Sequence, residues 1–381
     1  MLFRRRPSSD PPSLWLSLAL LLGISAVAMQ LERGRDRATG TTRATGAFGT
    51  RRVTDEPELW QHARARQPGR GREAASPWQI PWHGWKDILW RTSQQLNENR
   101  LLAVAAGVVF YGLLALFPAI TAFVSFYGLF ASGATINDHL SALAGVAPDA
   151  AYGIIEEQIK RIVAKGDAKL SLGFVFGLAL ALWSANAGMK ALIDALNVVY
   201  DEKEKRSFIR LNLVSLVFTL GAIASALLAV GAVIVFPLVL DRLGQGHLAQ
   251  TLVSLLRWPA LLLLVLIGLA VLYRFGPSRP EPKWQWVSIG SLFAAIAWLA
   301  SSVLLSWYFQ RFADYNETYG SLGAGIGLMT WMWISIIVIL VGAELNSELE
   351  HQTARDSTVG PEKPLGARGA AMADTVGQAA K

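Results

Sequence analysis

Residues 213–240 read LVSLVFTLGAIASALLAVGAVIVFPLVL, an apolar run without a single charged side chain. The hydrocarbon core of a bilayer requires about 20 apolar residues per helical span. Six stretches reach that length, and we predict core spans at 101–131, 170–199, 209–240, 250–275, 286–312 and 320–349. These runs lack the polar face that a helix keeps in water. The sequence therefore predicts an all-α, polytopic membrane helix bundle with six core transmembrane helices and an extra N-terminal span.

The composition of the 381-residue chain agrees, because 52% of its residues are hydrophobic and only 17% are charged. Fourteen tryptophans fit as well, since indole rings favour the bilayer–water interface. The absence of cysteine excludes disulfides, thiolate metal sites and a cysteine nucleophile. Much of the net charge of +7 comes from arginines that precede the core. We therefore expect the partner of these charges to be a bilayer with anionic headgroups, and no nucleic acid.

The ends of the chain differ from this core. Residues 1–13 are a basic leader, and residues 14–31 form an apolar run that is either an N-terminal transmembrane span or a signal-like segment. Residues 32–80 are rich in Arg, Gly, Thr and Pro, which predicts a disordered linker. Residues 81–350 would hold the six-helix membrane domain. Residues 351–381 are small and polar and are predicted to be a disordered cytoplasmic tail.

Two segments outside the spans show amphipathic helical spacing. Between Trp78 and Asn97, aromatic and aliphatic residues alternate with charged ones, which predicts a helix that lies along the inner interface and leads into the first core span. Residues 154–163 predict a second amphipathic helix, outside the membrane core. Pro118 falls inside the first core span, where a kink is expected.

The short loops give an orientation. The basic residues concentrate in two of them, near 200–210 and 274–285, and are Lys203, Lys205, Arg206, Arg210, Arg274, Arg279 and Lys283. The alternating loops, 241–249 and 313–319, carry Arg242 as their only Lys or Arg residue. The positive-inside rule therefore places both ends of the six-span core in the cytoplasm.

A polar stripe interrupts the second core span. Asn186, Lys190, Asp194 and Asn197 follow at spacings of four, four and three, so they share one helical face. A charge at the centre of a span costs about 2.5–3.5 kcal/mol, so it is rarely left facing lipid. Three interpretations stay open: snorkelling and capping at the cytoplasmic end, the lining of a cavity open to the cytoplasm, or contacts between helices.

The last span carries a second polar group and a glycine-rich start. Glu344 and Asn346 lie near its end, and Glu344 is a candidate counter-charge for Lys190 across the bundle. The start is punctuated by glycines, among them Gly320, Gly323 and Gly327. Close helix packing and a hinge or break are both compatible with this pattern, and packing is favoured.

Three groups of short motifs follow one another along the core. They are Glu98-Asn99-Arg100 leading to Ala115-Leu116-Phe117-Pro118, then Ala195-Leu196-Asn197-Val198-Val199-Tyr200 followed by Arg206-Ser207, and then Tyr319-Gly320-Ser321-Leu322-Gly323 followed by Gly342-Ala343-Glu344-Leu345-Asn346. In this order, over about residues 85–350, the chain resembles the BrkB/YihY family of bacterial inner-membrane proteins, once labelled ribonuclease BN. The resemblance implies a six-helix, multi-pass protein of the bacterial cytoplasmic (inner) membrane, and it implies no established substrate.

The ribonuclease label finds no support in the residues. Metal-dependent hydrolysis of RNA needs clustered His, Asp or Glu ligands. The five histidines are scattered, and none belongs to a short metal-binding motif. We therefore predict no catalytic residues, no metal site and no cofactor.

Three functions remain as hypotheses. The leading one is a non-enzymatic integral protein that transports or handles a lipid, a small solute or another envelope component. The alternative is a structural scaffold that recruits partners through the basic linker and the outer loop, and the third is an intramembrane enzyme. A water-accessible cavity that touches Asn186 and Lys190 would favour transport, whereas a sealed bundle would favour a scaffold. The sequence is also compatible with a homo-oligomer.

Overall fold

The computed structural model describes residues 61–130, 167–230, 247–312 and 322–380. Apart from one isolated β-bridge between Pro282 and Thr358, regular structure in these residues is helical. The helices are α1 Trp82–Glu98, α2 Leu101–Phe130, α3 Asp167–Val199, α4 Phe208–Val230, α5 His247–Phe275, α6 Trp284–Phe312, α7 Leu322–Gln352 and the short α8 Ala371–Asp374, and a 3-10 turn, Pro77–Gln79, precedes α1.

Helix length and composition confirm the predicted all-α, polytopic membrane bundle. Within the described residues, five helices are long and apolar enough to cross a membrane. A sixth span results if α1 and the start of α2, which are bent by 60° relative to each other, are counted together. The bend occurs at Arg100, whose φ of 49° lies in the left-handed region. Helix α1 is therefore the segment predicted to lie along the interface, and its position relative to a bilayer stays a prediction.

The outer surface of the bundle is apolar, as lipid contact requires. On α4, Leu227 and Leu228 are 67% and 65% exposed, and Val303 and Leu304 on α6 are both 63% exposed. A soluble monomer rarely exposes contiguous apolar patches larger than a few hundred Å². Exposing these side chains to hydrocarbon carries no free-energy cost, so the helices can be apolar on every face.

Helix α7 is central to the bundle, and it contacts α1, α2, α3 and α6. The most extensive pair is α2 with α3, and α5 packs on α6. Helix α4 packs on α3 but makes few contacts with α5. Within the described residues, the contact between α4 and α5 is therefore sparse.

Two of these helix pairs, α2 with α3 and α6 with α7, pack closely because their backbones approach each other at glycines. Gly188 of α3 lies beside the backbone of Gly112 in α2, and a Cβ atom added at Gly188 would lie 3.6 Å from the Gly112 nitrogen. Where α6 meets α7, a Cβ atom added at Gly290 would lie 2.0 Å from the carbonyl oxygen of Gly342. Small residues therefore allow these helices to approach closely, as is common between membrane helices.

The prediction of a disordered tail over 351–381 is wrong for the described residues of that segment. Ala354 donates its backbone N–H to the carbonyl of Arg72, and Gly377 donates to the carbonyl of His351. Arg368 is 3% exposed, and its guanidinium donates to backbone carbonyls of the tail itself. Composition suggested disorder because few apolar side chains are present, but here specific hydrogen bonds hold the backbone.

The same correction applies to part of the predicted linker at 32–80. Residues 61–80 are described, and Arg72 within them is 2% exposed. Its guanidinium donates to the carbonyls of Gln352 and Gly377. Residues 1–60, which include the leader and the apolar run at 14–31, lie outside the described residues, as does the predicted amphipathic helix at 154–163.

Candidate functional site

A large cavity occupies the weak seam between α4 and α5. It has a volume of about 1680 Å³ and is closed on one side by Trp298, Leu299 and Ser302 of α6. Typical pockets for small ligands measure about 300–1,000 Å³. Two of its lining side chains, Val217 and Ile267, are 63% and 51% exposed, so the cavity opens at the side of the bundle. We call this cavity the lateral groove.

Small side chains on one face of α4 create the lateral groove. The small lining residues of this helix are Gly221, Ala222, Ser225, Ala226 and Ala229. The larger Leu213, Leu220 and Leu227 are exposed and do not line the groove. Gly221, and Gly268 on α5, have no atom within 4 Å of an added Cβ. The sequence of α4 therefore places bulk towards the outside and leaves space towards α5.

The lateral groove runs nearly the full thickness of a membrane. Its lining on α4 extends from Arg210 to Ala229, a distance of roughly 28 Å at 1.5 Å per residue. The hydrocarbon core of a bilayer is about 30 Å thick. Apart from the end near Arg210, the lining is almost entirely aliphatic and aromatic. The groove can therefore hold an extended apolar molecule along the helices.

A second, smaller cavity lies between α6 and α7. It has a volume of about 510 Å³, and Ser302 lines both it and the lateral groove. Gly327 lines it as well, and a Cβ atom added there would be 3.6 Å from the ring of Phe309.

One end of the lateral groove is basic. Five of its lining residues carry positive charge, namely Lys205, Arg206, Arg210, Arg274 and Arg279. They come from the loop before α4, the first turn of α4, the last turn of α5 and the loop after it. We call this end the basic mouth.

Two of these arginines are held by structural ion pairs. Arg206 makes a two-pronged pair with Glu204, with N–O distances of 2.8 Å, and donates to the carbonyl of Gly276 at 2.8 Å. The hydrogen bonds from Arg206 lower the pKa of Glu204 to about 2. Arg279 pairs with Glu350 at 2.8 and 2.9 Å, deep in the protein. Both arginines therefore stabilise the loops at the mouth.

Asn197 fixes the two loops of the mouth to each other. Its Oδ1 accepts a hydrogen bond from the backbone N–H of Ser278 at 2.7 Å, and its Nδ2 donates to Glu204 at 3.1 Å. Ser278 in turn accepts from the backbone N–H of Lys205 at 2.9 Å. The buried amide of Asn197 therefore contacts both the loop before α4 and the loop after α5, and it adds to the direct hydrogen bonds between them.

A buried polar cluster, which we call the polar base, lies next to the mouth. Arg279 stacks over the ring of Tyr200, with its Cζ 4.0 Å from the ring centre, and Ser357 donates to Glu350 at 2.9 Å. Burial raises the pKa of Tyr200, so its phenol stays protonated. Burial alone lowers the pKa of Arg279, but the charge and hydrogen bonds of Glu350 raise it overall. The cluster is therefore charged, paired and rigid.

The end of α7 adds two further buried carboxylates to the polar base. Glu348 accepts a hydrogen bond from Nε of Arg91 on α1. Glu344 is fully buried and accepts a hydrogen bond from Asn99 at 3.3 Å, and among the described residues its Oε1 has no partner.

The four residues of the predicted polar stripe on α3 have different surroundings. Lys190 donates to Oδ1 of Asn212 on α4 at 2.8 Å, and Asn186 contacts the same oxygen at 3.5 Å. Asp194 is exposed, whereas Asn197 belongs to the loops of the mouth. Neither Asn186 nor Lys190 lines the lateral groove. The stripe therefore joins α3 to α4 instead of lining that cavity.

The suggested pair of Lys190 with Glu344 is wrong. The partner of Lys190 is Asn212, and that of Glu344 is Asn99. Lys190 of α3 faces α4 at this position, whereas Glu344 of α7 faces the residue that follows α1. The similar depth of the two residues along their spans does not identify which helix each of them faces.

The other predicted positions on α6 and α7 concern packing. Asn346 accepts the backbone N–H of Gly290 at 2.7 Å and donates to the carbonyl of Val287 at 3.2 Å, which binds α7 to α6. Pro118 lies within α2, and Gly323 lies in the first turn of α7. Gly320 lies outside the described residues.

Sequence reasoning missed the lateral groove and the pairing of its basic end. Arg274 and Arg279 had been interpreted as loop charges, yet they are 10% and 1% exposed in their side chains. The face of small residues on α4 was a usable signal, because a helix packed everywhere against neighbours would not leave that space unfilled. Within the described residues no group of three His, Cys, Asp or Glu side chains could hold a metal ion.

Comparison with known proteins gives several matches. A family model described as virulence factor BrkB matches residues 92–365. The ribonuclease-like protein YfkH of Bacillus subtilis is 31% identical over 249 residues, which cover 64% of this chain and 88% of that protein. A UPF0761 membrane protein of Laribacter hongkongensis is 26% identical over 271 residues, or 70% of this chain and 61% of that protein. The UPF0761 membrane protein VFMJ11_0098 of Aliivibrio fischeri is also 26% identical, over 70% of this chain and 84% of its own length. No solved structure matches.

Proposed function

The chain belongs to the BrkB family, and from that premise we propose that it is a non-enzymatic protein of the bacterial cytoplasmic membrane that handles a membrane lipid. The lipid enters the lateral groove from the side, between α4 and α5, with its acyl chains along the apolar lining. The observation that carries this proposal is the groove itself, about 1680 Å³ of mainly apolar space that reaches the outside of the bundle.

The character of the lining favours a lipid over a water-soluble solute. A path for a polar solute needs polar groups along its length, whereas the polar groups of α3 are engaged with Asn212 away from the groove. Large apolar cavities do not hold ordered water. The molecules that surround the seam in a membrane are lipids, and their tails match its surface.

The charges support an orientation in which the basic mouth faces the cytoplasm. The mouth is built from the two loops that carry most of the basic residues of the core, and the positive-inside rule assigns such loops to the cytoplasm. The polar base and the tail then lie on the same side. The groove would extend from the inner leaflet towards the outer one, which suits movement of a lipid across or out of the inner leaflet.

The test is photocrosslinking of a lipid that carries a photoreactive group in its acyl chain. Ala222→Trp and Ala226→Trp fill the groove from α4 and should reduce crosslinking at the groove-lining residues of α4 and α5, while crosslinking at the outer faces of the same helices stays unchanged. Leu220→Trp and Leu227→Trp are matched controls, because both residues are exposed on α4 and do not line the groove. These controls should crosslink as the wild type does.

The opposite result would favour a scaffold. If the wild type crosslinks equally on all exposed faces, and the groove-filling variants change nothing, the groove holds no particular lipid. A structural role, with partners recruited at the polar ends, would then be the better interpretation.

A further inference from the structure

We propose that the basic mouth is a phosphate-binding site for the headgroup of an anionic glycerophospholipid, with Arg274 and Arg210 as the binding residues. This inference rests on the proposed function, because it specifies the lipid whose tails the lateral groove would hold. It is carried by two N–H donor groups of Arg274 that have no acceptor among the described residues, and by Arg210, which has no carboxylate partner among them.

Structural pairs engage three of the five basic side chains, which leaves two for a ligand. Arg206 is engaged by Glu204 and Gly276, and both terminal nitrogens of Arg279 are engaged by Glu350, which leaves only the Nε of Arg279 without an acceptor among the described residues. Lys205 is exposed and bonded to Glu202 at 2.7 Å. The remaining two are Arg210 and Arg274, and Glu281 is the only carboxylate among the residues that line the cavity. The mouth therefore presents net positive charge to the groove.

Arg274 is a buried guanidinium with a single hydrogen-bond acceptor among the described residues. The residue is 8% exposed, and only its Nη2 has a hydrogen-bond acceptor, the carboxylate of Glu281 at 3.1 Å. Within the part of the chain that the structure describes, its Nε and Nη1 have no acceptor. The guanidinium lies over the rings of Trp284 and Phe275, with its Cζ at 4.3 and 5.2 Å from the ring centres. A buried donor without an acceptor is destabilising, and a phosphate oxygen would satisfy it.

Arg210 supplies the second charge from the other side of the seam. It is in the first turn of α4, is exposed, and has no carboxylate within ion-pair distance among the described residues. Arginine binds phosphate through two parallel N–H donors. Arg210 and Arg274 thus come from the two helices that border the lateral groove, and a headgroup between them would continue directly into its apolar lining.

The positive balance of the mouth distinguishes among lipids. A zwitterionic headgroup adds an ammonium group that would meet these same cations, whereas the headgroup of phosphatidylglycerol carries only the phosphate charge. We therefore expect the protein to retain phosphatidylglycerol in preference to phosphatidylethanolamine. The free-anion alternative, inorganic phosphate bound at the mouth, is a separate outcome of the test.

The experiment uses the full chain reconstituted in vesicles of equal phosphatidylglycerol and phosphatidylethanolamine. The protein is extracted in mild detergent, and the retained lipids are measured by mass spectrometry. The wild type should enrich phosphatidylglycerol, and Arg210→Gln and Arg274→Gln should each lower that enrichment about tenfold, as expected for one lost charged hydrogen-bonding group. Arg311→Gln is the matched control, because Arg311 is an exposed arginine at the other end of α6. A thermal unfolding measurement accompanies each variant.

Arg274→Lys separates binding from folding. It keeps the charge but loses the planar fork, so a folded Arg274→Lys protein should retain total lipid while losing part of its headgroup preference. Unchanged preference in folded Arg210→Gln and Arg274→Lys proteins would overturn this inference and leave the proposed function intact. Binding of inorganic phosphate by a wild type that shows no enrichment of phosphatidylglycerol would also overturn it and indicate a free-anion site. A wild type that retains no lipid above the level of Ala222→Trp would overturn the proposed function itself.

Discussion

Arg279 and Glu350 form a bidentate salt bridge with N–O distances of 2.8 and 2.9 Å, and both side chains are at most 1% exposed. Arg279 lies in the loop after α5, and Glu350 lies in the last turn of α7. The pair joins the basic mouth of the lateral groove to the central helix of the bundle. Movement of that loop would therefore require a change in the position of α7 or the rupture of a buried pair.

Removal of one partner should be strongly destabilising. Arg279→Leu leaves the Glu350 carboxylate buried without a counter-charge, which costs about 3–5 kcal/mol. We expect a large fall in the midpoint of thermal unfolding in detergent, and a partial recovery in the Arg279→Leu/Glu350→Leu double variant. Arg355→Leu, at an exposed position, is the control and should change little. Equal and additive losses from the two single changes would contradict this account.

The crossing of α6 and α7 should tolerate no side chain at Gly290. A Cβ atom there would lie 2.0 Å from the carbonyl oxygen of Gly342, so Gly290→Ala must separate the helices, at a cost of about 1–3 kcal/mol or more. The yield of folded protein, measured by fluorescence size-exclusion chromatography, should fall sharply. Gly107→Ala on α2 is the matched control, because nothing lies within 4 Å of its added Cβ. A normal yield for Gly290→Ala would show that the helices are farther apart.

Lys190 and Asn212 should be energetically coupled across α3 and α4. Their hydrogen bond measures 2.8 Å, and bonds between membrane helices contribute about 0.6 kcal/mol on average and up to about 1.7 kcal/mol. A double-mutant cycle of Lys190→Met and Asn212→Leu, followed by unfolding in detergent, should give a coupling of that size. Lys190→Met combined with Glu344→Gln should be additive within about 0.3–0.5 kcal/mol. Coupling between Lys190 and Glu344, together with additivity between Lys190 and Asn212, would instead support a Lys190–Glu344 pair.

The local structure of the tail should loosen when Arg368 is removed. This side chain is 3% exposed and donates to several carbonyls between Ala354 and Ala373. Arg368→Gln should therefore speed backbone hydrogen exchange over residues 366–378, measured by mass spectrometry. Arg355→Gln, on the same tail but exposed, should leave exchange unchanged. Slow exchange in both variants would mean that other contacts hold the tail.

Acid should remove the contribution of Glu204. Its pKa is lowered to about 2 by hydrogen bonds from Arg206, against an ordinary value of about 4.3. A lowered pKa adds stability that is complete above the ordinary value and is lost as the pH falls towards about 2. The gap in stability between wild type and Glu204→Gln should thus be constant from about pH 5 upward and close below that. Glu362→Gln, at an exposed position of the tail, should show no such gap, and a pH-independent gap for Glu204→Gln would refute the pairing.

Much of the fold follows from hydropathy along the chain. The predicted core spans at 250–275 and 286–312 correspond to α5 His247–Phe275 and α6 Trp284–Phe312, because an apolar run of this length has few other solutions. The tail and residues 61–80 were predicted wrongly, since hydrogen bonds such as Arg72 to Gly377 join residues 305 positions apart. No local pattern reports such a partner.

The sequence by itself determined that the core helices are suited to hydrocarbon, which segments form those helices, and which loops carry the positive charge. Each of these depends on the free energy of transferring a local segment between water and hydrocarbon. Tertiary structure alone decided which helices touch. It assigned Lys190 to Asn212 and Glu344 to Asn99, and it left the space between α4 and α5 open. Helix–helix contacts depend on shape and on the match of polar groups between distant segments, and neither is encoded in the hydropathy of a single span.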